Sequence, residues 1–171
     1  MAKNSLKVIV VTGTPGTGKS VIAKRLSLFL DYAYLSGSAL IKKANLAEKY
    51  DKRRKTAIVD PSLFTRAVLK VRDSAAKKGK KGLIVDSHLS HFLPNKAVSA
   101  CVVLSCSIPE LKRRLTKRGY GRAKVRENLD AEIFDVILVE TTEKAHRIIK
   151  FDATKVKETD IKKLANRIKK L

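Results

Sequence analysis

Val8-Ile-Val-Val-Thr-Gly-Thr-Pro-Gly-Thr-Gly-Lys-Ser20 leaves this chain few folds to choose from. Four consecutive β-branched residues, Val8 to Val11, read as a strand buried on both faces. Gly13, Thr14, Pro15, Gly16, Thr17, Gly18, Lys19 and Ser20 then match G-x-x-x-x-G-K-[ST] without a gap. From Val21 to Leu30 the apolar residues Val21, Ile22, Leu26, Phe29 and Leu30 recur at helical spacing. Strand, glycine loop and helix thus arrive in the order that a phosphate-binding loop requires. Glycines allow backbone N–H groups to approach phosphate oxygens that a Cβ would hold off. A helix beginning near Lys19 adds unpaired N–H groups and the positive end of its dipole. Lys19 is expected to reach the β- and γ-phosphates of a bound triphosphate, and the Ser20 hydroxyl to ligate Mg²⁺.

Strands and helices continue to alternate downstream. Tyr32 to Leu35 reads as a second strand, and Ser36-Gly37-Ser38 as the cap of a short helix through Ala39, Leu40, Ile41 and Ala44. Lys49 to Lys55 is polar and basic and reads as an exposed loop. Asp60-Pro61 opens a helix that carries Leu63, Phe64, Ala67, Val68, Val71 and Ala75 at helical spacing and stops at Gly79. Gly82-Leu-Ile-Val-Asp86 and Ala100 to Leu104 are two further buried-strand patterns. A helix starts at Ser107-Ile-Pro-Glu and stops at Gly119. One long helix is expected over roughly 123–147, with Leu129, Ile133, Phe134, Val136, Ile137, Leu138 and Val139 mostly in the core. Arg147 to Phe151 reads as the last strand, and Thr159 as the cap of a terminal amphipathic helix bearing Ile161, Leu164, Ile168 and Leu171. The expected architecture is one α/β domain over residues 1–171, a P-loop NTPase fold with a doubly wound parallel sheet of about five strands.

Charge narrows the partners. Against 16 Asp+Glu stand 38 Lys+Arg, a net charge of +22. Lysine-rich surfaces of the thermophile kind normally carry comparable Glu, so a polyanion such as RNA is a plausible partner beyond the nucleotide. Cys101 and Cys106 lie in or beside a Val/Leu-rich run without zinc-ligand spacing, and read as core thiols. No signal peptide or membrane-length apolar run is present, which points to a cytoplasmic location, or a nuclear one in a eukaryote.

Asp86 closes its strand in the manner of a Walker B acid, placed to hold Mg²⁺ directly or through water. His88 follows two residues later, as a loop histidine that is either structural or able to position a nucleophile. Arg114 and Arg118 share a helix face that points toward the break at Gly119. From Lys112 to Arg126 there are eight basic residues and no acidic ones. Beside a triphosphate, that segment reads as an arginine clamp, with Gly119 and Gly121 as hinges of a closing lid. No Asn-Lys-x-Asp guanine-reading segment occurs, and the length leaves no room for a helicase or AAA module. A small kinase or ATPase remains.

The loop Gly13 to Ser20, Ile84-Val-Asp-Ser-His88 with Phe92-Leu-Pro94, and Arg118-Gly-Tyr120 through Glu127-Asn128 and Ala131-Glu-Ile-Phe134 together resemble the atypical adenylate kinase family of the isoenzyme-six type. The resemblance runs from about Val8 to Phe151. It implies an adenylate kinase fold with a short insertion for the nucleoside monophosphate (NMP), about 36–60, and a short lid, about 117–127. It further implies phosphotransfer from ATP to AMP or another NMP, ATPase activity, and a role in small-subunit ribosomal RNA maturation with a small-subunit ribosomal protein. On this sequence, Gly16, Gly18, Lys19, Ser20 and Val21 would bind ATP beside the loop residues Gly13 and Thr17. Arg118 would be the lid arginine, Asp86 and His88 the Walker-B-like pair, and Lys157 a contact on the adenine side. Two departures stand out. The insertion is basic (Lys42, Lys43, Lys49, Lys52 to Lys55) where the family is acid-rich, and Thr141-Thr142 replaces an acidic-Ala pair. A small-molecule kinase for another acceptor, and a nucleotide-gated RNA- or protein-binding module, stay open as alternatives.

Overall fold

Residues 6–51 and 56–171 are described by a computed structural model. β1 (Lys7–Gly13) lies at the centre of a five-stranded, wholly parallel sheet. Its neighbours are β5 (Gly82–Asp86) on one side and β6 (Ala100–Ser105) on the other, with β2 (Ala33–Ser36) and β7 (Ile148–Asp152) at the edges. The β-branched run of β1 is explained by burial on both faces. Ile9 and Val11 pack on one side with Ile22 and Leu26 of α1 (Lys19–Leu30) and Leu164 and Ile168 of α7 (Glu158–Lys169). Val8 and Val10 pack on the other with Phe64 and Val68 of α3 (Pro61–Lys77). Cys101 and Cys106 are free thiols inside the core.

Local signals placed most boundaries. Ser36 caps α2 (Gly37–Lys43), accepting from the Ala39 N–H at 3.4 Å, and Asp60 caps α3, accepting from the Ser62 N–H at 2.7 Å. α4 (Ile108–Lys117) begins after Ser107 and is followed by Gly119 at φ +78°. Corrections fall where tertiary contacts override pattern. Part of the basic stretch read as a loop is β3 (Ala47–Asp51), paired antiparallel with β4 (Thr56–Val59); residues 52–55 of that stretch lie outside the described residues. The expected single helix over 123–147 is two, α5 (Arg122–Ile133) and α6 (Val136–Glu143), broken where Asp135 adopts φ +50°. Its apolar run is not mostly core, because Ile133, Phe134, Val136 and Val139 stand exposed. α7 starts at Glu158 rather than behind Thr159, and Asp160 accepts from the Lys157 N–H at 3.0 Å to cap it.

Two residues past the end of α6, Ala145 lies in the left-handed region, at φ +54°. That position after a helix favours glycine, since a Cβ there costs about 1–2 kcal/mol. Ala145→Gly gains about 0.5–1 kcal/mol in urea unfolding, after subtracting the greater freedom of glycine in the unfolded chain.

Candidate active site

The carboxyl ends of β1 and β5 lie side by side, with Asp86 opposite Val11. The glycine loop therefore emerges next to the strand-end carboxylate, at the end of a parallel sheet where ligands bind. Gly13 has φ +143°, and a Cβ on it would lie 2.6 Å from the Leu104 carbonyl oxygen. Gly16 has φ +97°, and a Cβ on it would meet Leu115 Cδ2 at 2.8 Å. The loop is thus seated directly on β6 and α4, and no larger residue fits at either position. α1 begins without a side-chain cap, which leaves its first-turn N–H groups for an anion.

A cavity of about 650 Å³ opens over this loop. Gly16, Gly18, Lys19, Ser20 and Val21 line it from the loop and α1, with Asp86 and His88, Arg114 and Arg118, Tyr120, and Ser38 and Ile41 of α2 among its other walls. Sequence-predicted residues from four separate elements are thus brought together. Of the other predicted residues, Gly13 lies beneath the loop. Thr17 is buried, with its hydroxyl donating to the Thr14 carbonyl at 2.9 Å, and lines a second cavity. That second cavity, of about 420 Å³, lies between α1 and the start of α7. Lys157 lines it, together with Val156 and Ile161, while Gly18, Val21 and Arg114 border both cavities.

Lys19 Nζ donates to the Gly13 carbonyl at 2.7 Å and the Thr14 carbonyl at 3.0 Å. Burial pushes its pKa down to about 8 against the pull of Asp86, and Arg118 adds to the depression. The buried Asp86 carboxylate accepts from the Tyr34 hydroxyl at 2.8 Å. Burial and that bond together push the Tyr34 pKa up to about 12. Ser20 and Asp86, which both line the cavity, offer hard oxygen donors. A small donor set of this kind fits Mg²⁺, which keeps waters and substrate phosphates among its ligands.

A family model described as an AAA domain matches residues 9–135. The description runs against the expectation from chain length, and the match shows that a unit of this kind fits within 171 residues. A relative from Methanosarcina acetivorans named "Putative adenylate kinase" is 34% identical over 148 residues, covering 86% of this chain and 77% of that one. The Saccharomyces cerevisiae protein named adenylate kinase isoenzyme 6 homolog FAP7 is 38% identical over 136 residues, covering 79% of this chain and 66% of that one. The chain belongs to the atypical adenylate kinase family. It is a phosphotransferase of the P-loop kinase fold. The fold is shared with a sugar kinase from Janibacter sp. at a TM-score of 0.65 and 17% identity, covering 94% of this chain and 93% of that one. Among the described residues no helix is long and apolar enough to cross a membrane.

Within this adenylate kinase framework Arg114 is more constrained than its sequence position suggests. Its Nε bonds Glu110 at 2.8 Å, Nη1 bonds the Thr17 carbonyl at 3.1 Å, and Nη2 bonds the Ala153 and Thr154 carbonyls at 2.9 Å each. Four of its five N–H groups are thereby used, which leaves one on Nη1 for a ligand. Among the described residues Arg118, exposed at the end of α4, has no such ties, and it stands 5.9 Å over the Tyr120 ring. Tyr34, which donates to Asp86, is a residue that the sequence reading did not single out, while Tyr120, quoted there only within the Arg118-Gly-Tyr120 motif, lines the cavity.

Behind the loop, buried His91 lies 3.3 Å from the Thr12 hydroxyl through Nδ1 and 3.0 Å from Glu140 through Nε2. Burial, reinforced by His146 and Lys144, pushes its pKa down to about 4. The exposed His88 is also lowered to about 4, by desolvation first and by the Lys19 charge second, but solvent weakens that effect and the buried His91 carries most of the pH dependence. Both are therefore neutral at pH 7. Between about pH 6.5 and 4 the unfolded chain binds protons that the folded one refuses, so stability falls as pH falls through that window. Urea midpoints at pH 7 and pH 5 measure the loss, and His91→Gln makes it smaller.

Proposed function

We propose that the chain transfers the γ-phosphoryl group of ATP to AMP or another nucleoside monophosphate, and hydrolyses ATP slowly when no acceptor is bound. The observation that carries this reading is the pair of cavities that share Gly18, Val21 and Arg114 in their walls. An adenine fits the smaller, more apolar one beside Val156, Ile161 and Lys157, with its phosphates over Gly13–Ser20. The larger cavity then keeps space for an acceptor beside Asp86, His88 and Ser38. Residues 36–60 act as the acceptor-binding insertion and 117–127 as the lid. Ser20 and Asp86 would hold Mg²⁺, which would neutralise charge on the phosphates.

The protein's own part is positioning and electrostatics. The loop N–H groups and Lys19 hold the β- and γ-phosphates, Arg118 folds onto the transferring group, and Asp86 keeps the cation in register. Neutral His88 is able to accept a hydrogen bond from the attacking hydroxyl or water. The net charge of +22 supports work beside RNA, in small-subunit ribosomal maturation with a ribosomal protein as partner. The test is ADP formation from MgATP with and without AMP. Two ADP per ATP, dependent on AMP, is the expected result. Slow hydrolysis indifferent to AMP would overturn the kinase reading in favour of an ATPase.

A further inference from the structure

Among the described residues, seven large apolar side chains stand exposed, and four of them lie between positions 133 and 139. These are Ile133, Phe134, Val136 and Val139, with Phe134 the most open at 72%. They surround the break between α5 and α6, where Asp135 turns the chain. Of the other three, Val21 lines the nucleotide cavities, while Leu28 and Ile58 lie on other elements. Single exposed apolar residues are ordinary, but a group of four that includes an aromatic marks a surface meant to be covered.

Along the chain, the segment that carries this group is opposite in charge to the rest of the sequence. From Glu127 to Glu143 there are six carboxylates and no Lys or Arg, in a chain with only 16 Asp+Glu and a net charge of +22. Under the break lies a cavity of about 220 Å³, lined by Ala131, Glu132, Asp135, Ile137 and Leu138, with Lys150 of β7 also on its wall. One oxygen of Glu132 is engaged by the Cys106 N–H at 2.6 Å. The Asp130 carboxylate is engaged by Arg126 at 2.8 Å.

We propose that the α5–α6 face docks a basic segment of a protein partner, rich in Lys or Arg and carrying apolar side chains, with one cation seated beside Glu132 and Asp135. Apolar area supplies the contact, and the local carboxylates select the sign of the occupant. RNA is disfavoured on this face by the same carboxylates. A second copy of this chain, itself strongly basic, is the competing occupant. The inference rests on the surface alone and holds for any acceptor the enzyme phosphorylates.

The experiment uses the full chain and a fluorescein-labelled synthetic peptide of repeating Lys-Leu-Arg-Phe, with a control in which Glu replaces every Lys and Arg. Fluorescence anisotropy is expected to show binding of the basic peptide and none of the acidic one, although the protein's net charge favours the reverse. Phe134→Ser with Val139→Ser is expected to weaken binding about tenfold or more. Asp135→Asn with Glu143→Lys, a second pair that leaves the apolar group intact, is expected to weaken it as well. Unchanged melting temperature and MgATP turnover in these variants would show that the fold is intact. Preference for the acidic peptide, or equal affinity in wild type and both variant pairs, would overturn the proposal. So would sedimentation of the wild type as a dimer that Phe134→Ser with Val139→Ser converts to monomer, which makes the face a self-interface.

Discussion

Lys19→Ala lowers kcat/KM for MgATP by about 10²–10³, the loss typical of removing one preorganised donor to developing charge. The ammonium lies in the cavity floor, 2.7 Å from the Gly13 carbonyl, in a setting that already lowers its pKa to about 8. Burial disfavours this ammonium, and a bound triphosphate would favour it by supplying negative charge. The same reasoning fixes a pH dependence. In the wild type, MgATP affinity weakens as pH rises above about 8, because the empty site loses the proton that the phosphates need. In Lys19→Ala that slope disappears. The variant stays folded, with Tm moved by about 4 °C or less, since a desolvated charge and two hydrogen bonds to carbonyls are lost together. Initial rates over a pH series, with calorimetric ATP titrations, check both parts. Unchanged turnover in Lys19→Ala would mean that the glycine loop is not where the transferred phosphate is held.

What could be read from sequence was whatever short-range chemistry determines. Val8–Val11, the glycine pattern, the caps Ser36 and Asp60 and the strand-end Asp86 each depend on a few consecutive residues, and each stands where the pattern places it. The misses have one physical origin, contacts between residues far apart in the chain. Tyr34 meets Asp86 across 52 positions, and nothing local marks a strand tyrosine as the partner of a site carboxylate. Arg114 looks like a free phosphate ligand until the Thr17, Ala153 and Thr154 carbonyls, 39 to 97 positions away, take up its N–H groups. The α5–α6 break carries neither Gly nor Pro, so only the left-handed Asp135 produces it, and an apolar run that looks like core faces solvent instead. In β3, Glu48 and Lys49 hide a strand whose pairing with β4 is supplied by the neighbouring chain segment.

Asp86→Asn separates the charge of that residue from its shape. Asparagine keeps an oxygen to accept from the Tyr34 hydroxyl, so β2 and β5 remain tied and the fold is preserved. What is lost is a negative charge in the cavity wall, electrostatically coupled to Lys19. If Asp86 holds Mg²⁺ in register, kcat falls by about 10²–10³ while the affinity for metal-free ATP changes little or rises. Adding His88→Ala removes the neutral acceptor at the cavity edge. The double variant then hydrolyses ATP no faster than background, and AMP does not rescue it. His88→Ala alone divides the two reactions: hydrolysis, which needs its water oriented, falls further than transfer to an acceptor that binds through contacts of its own. ADP production with and without AMP, measured for the three variants, decides the matter. A double variant that still hydrolyses ATP at the wild-type rate would make Asp86 and His88 structural, with Tyr34–Asp86 serving only to join two strands.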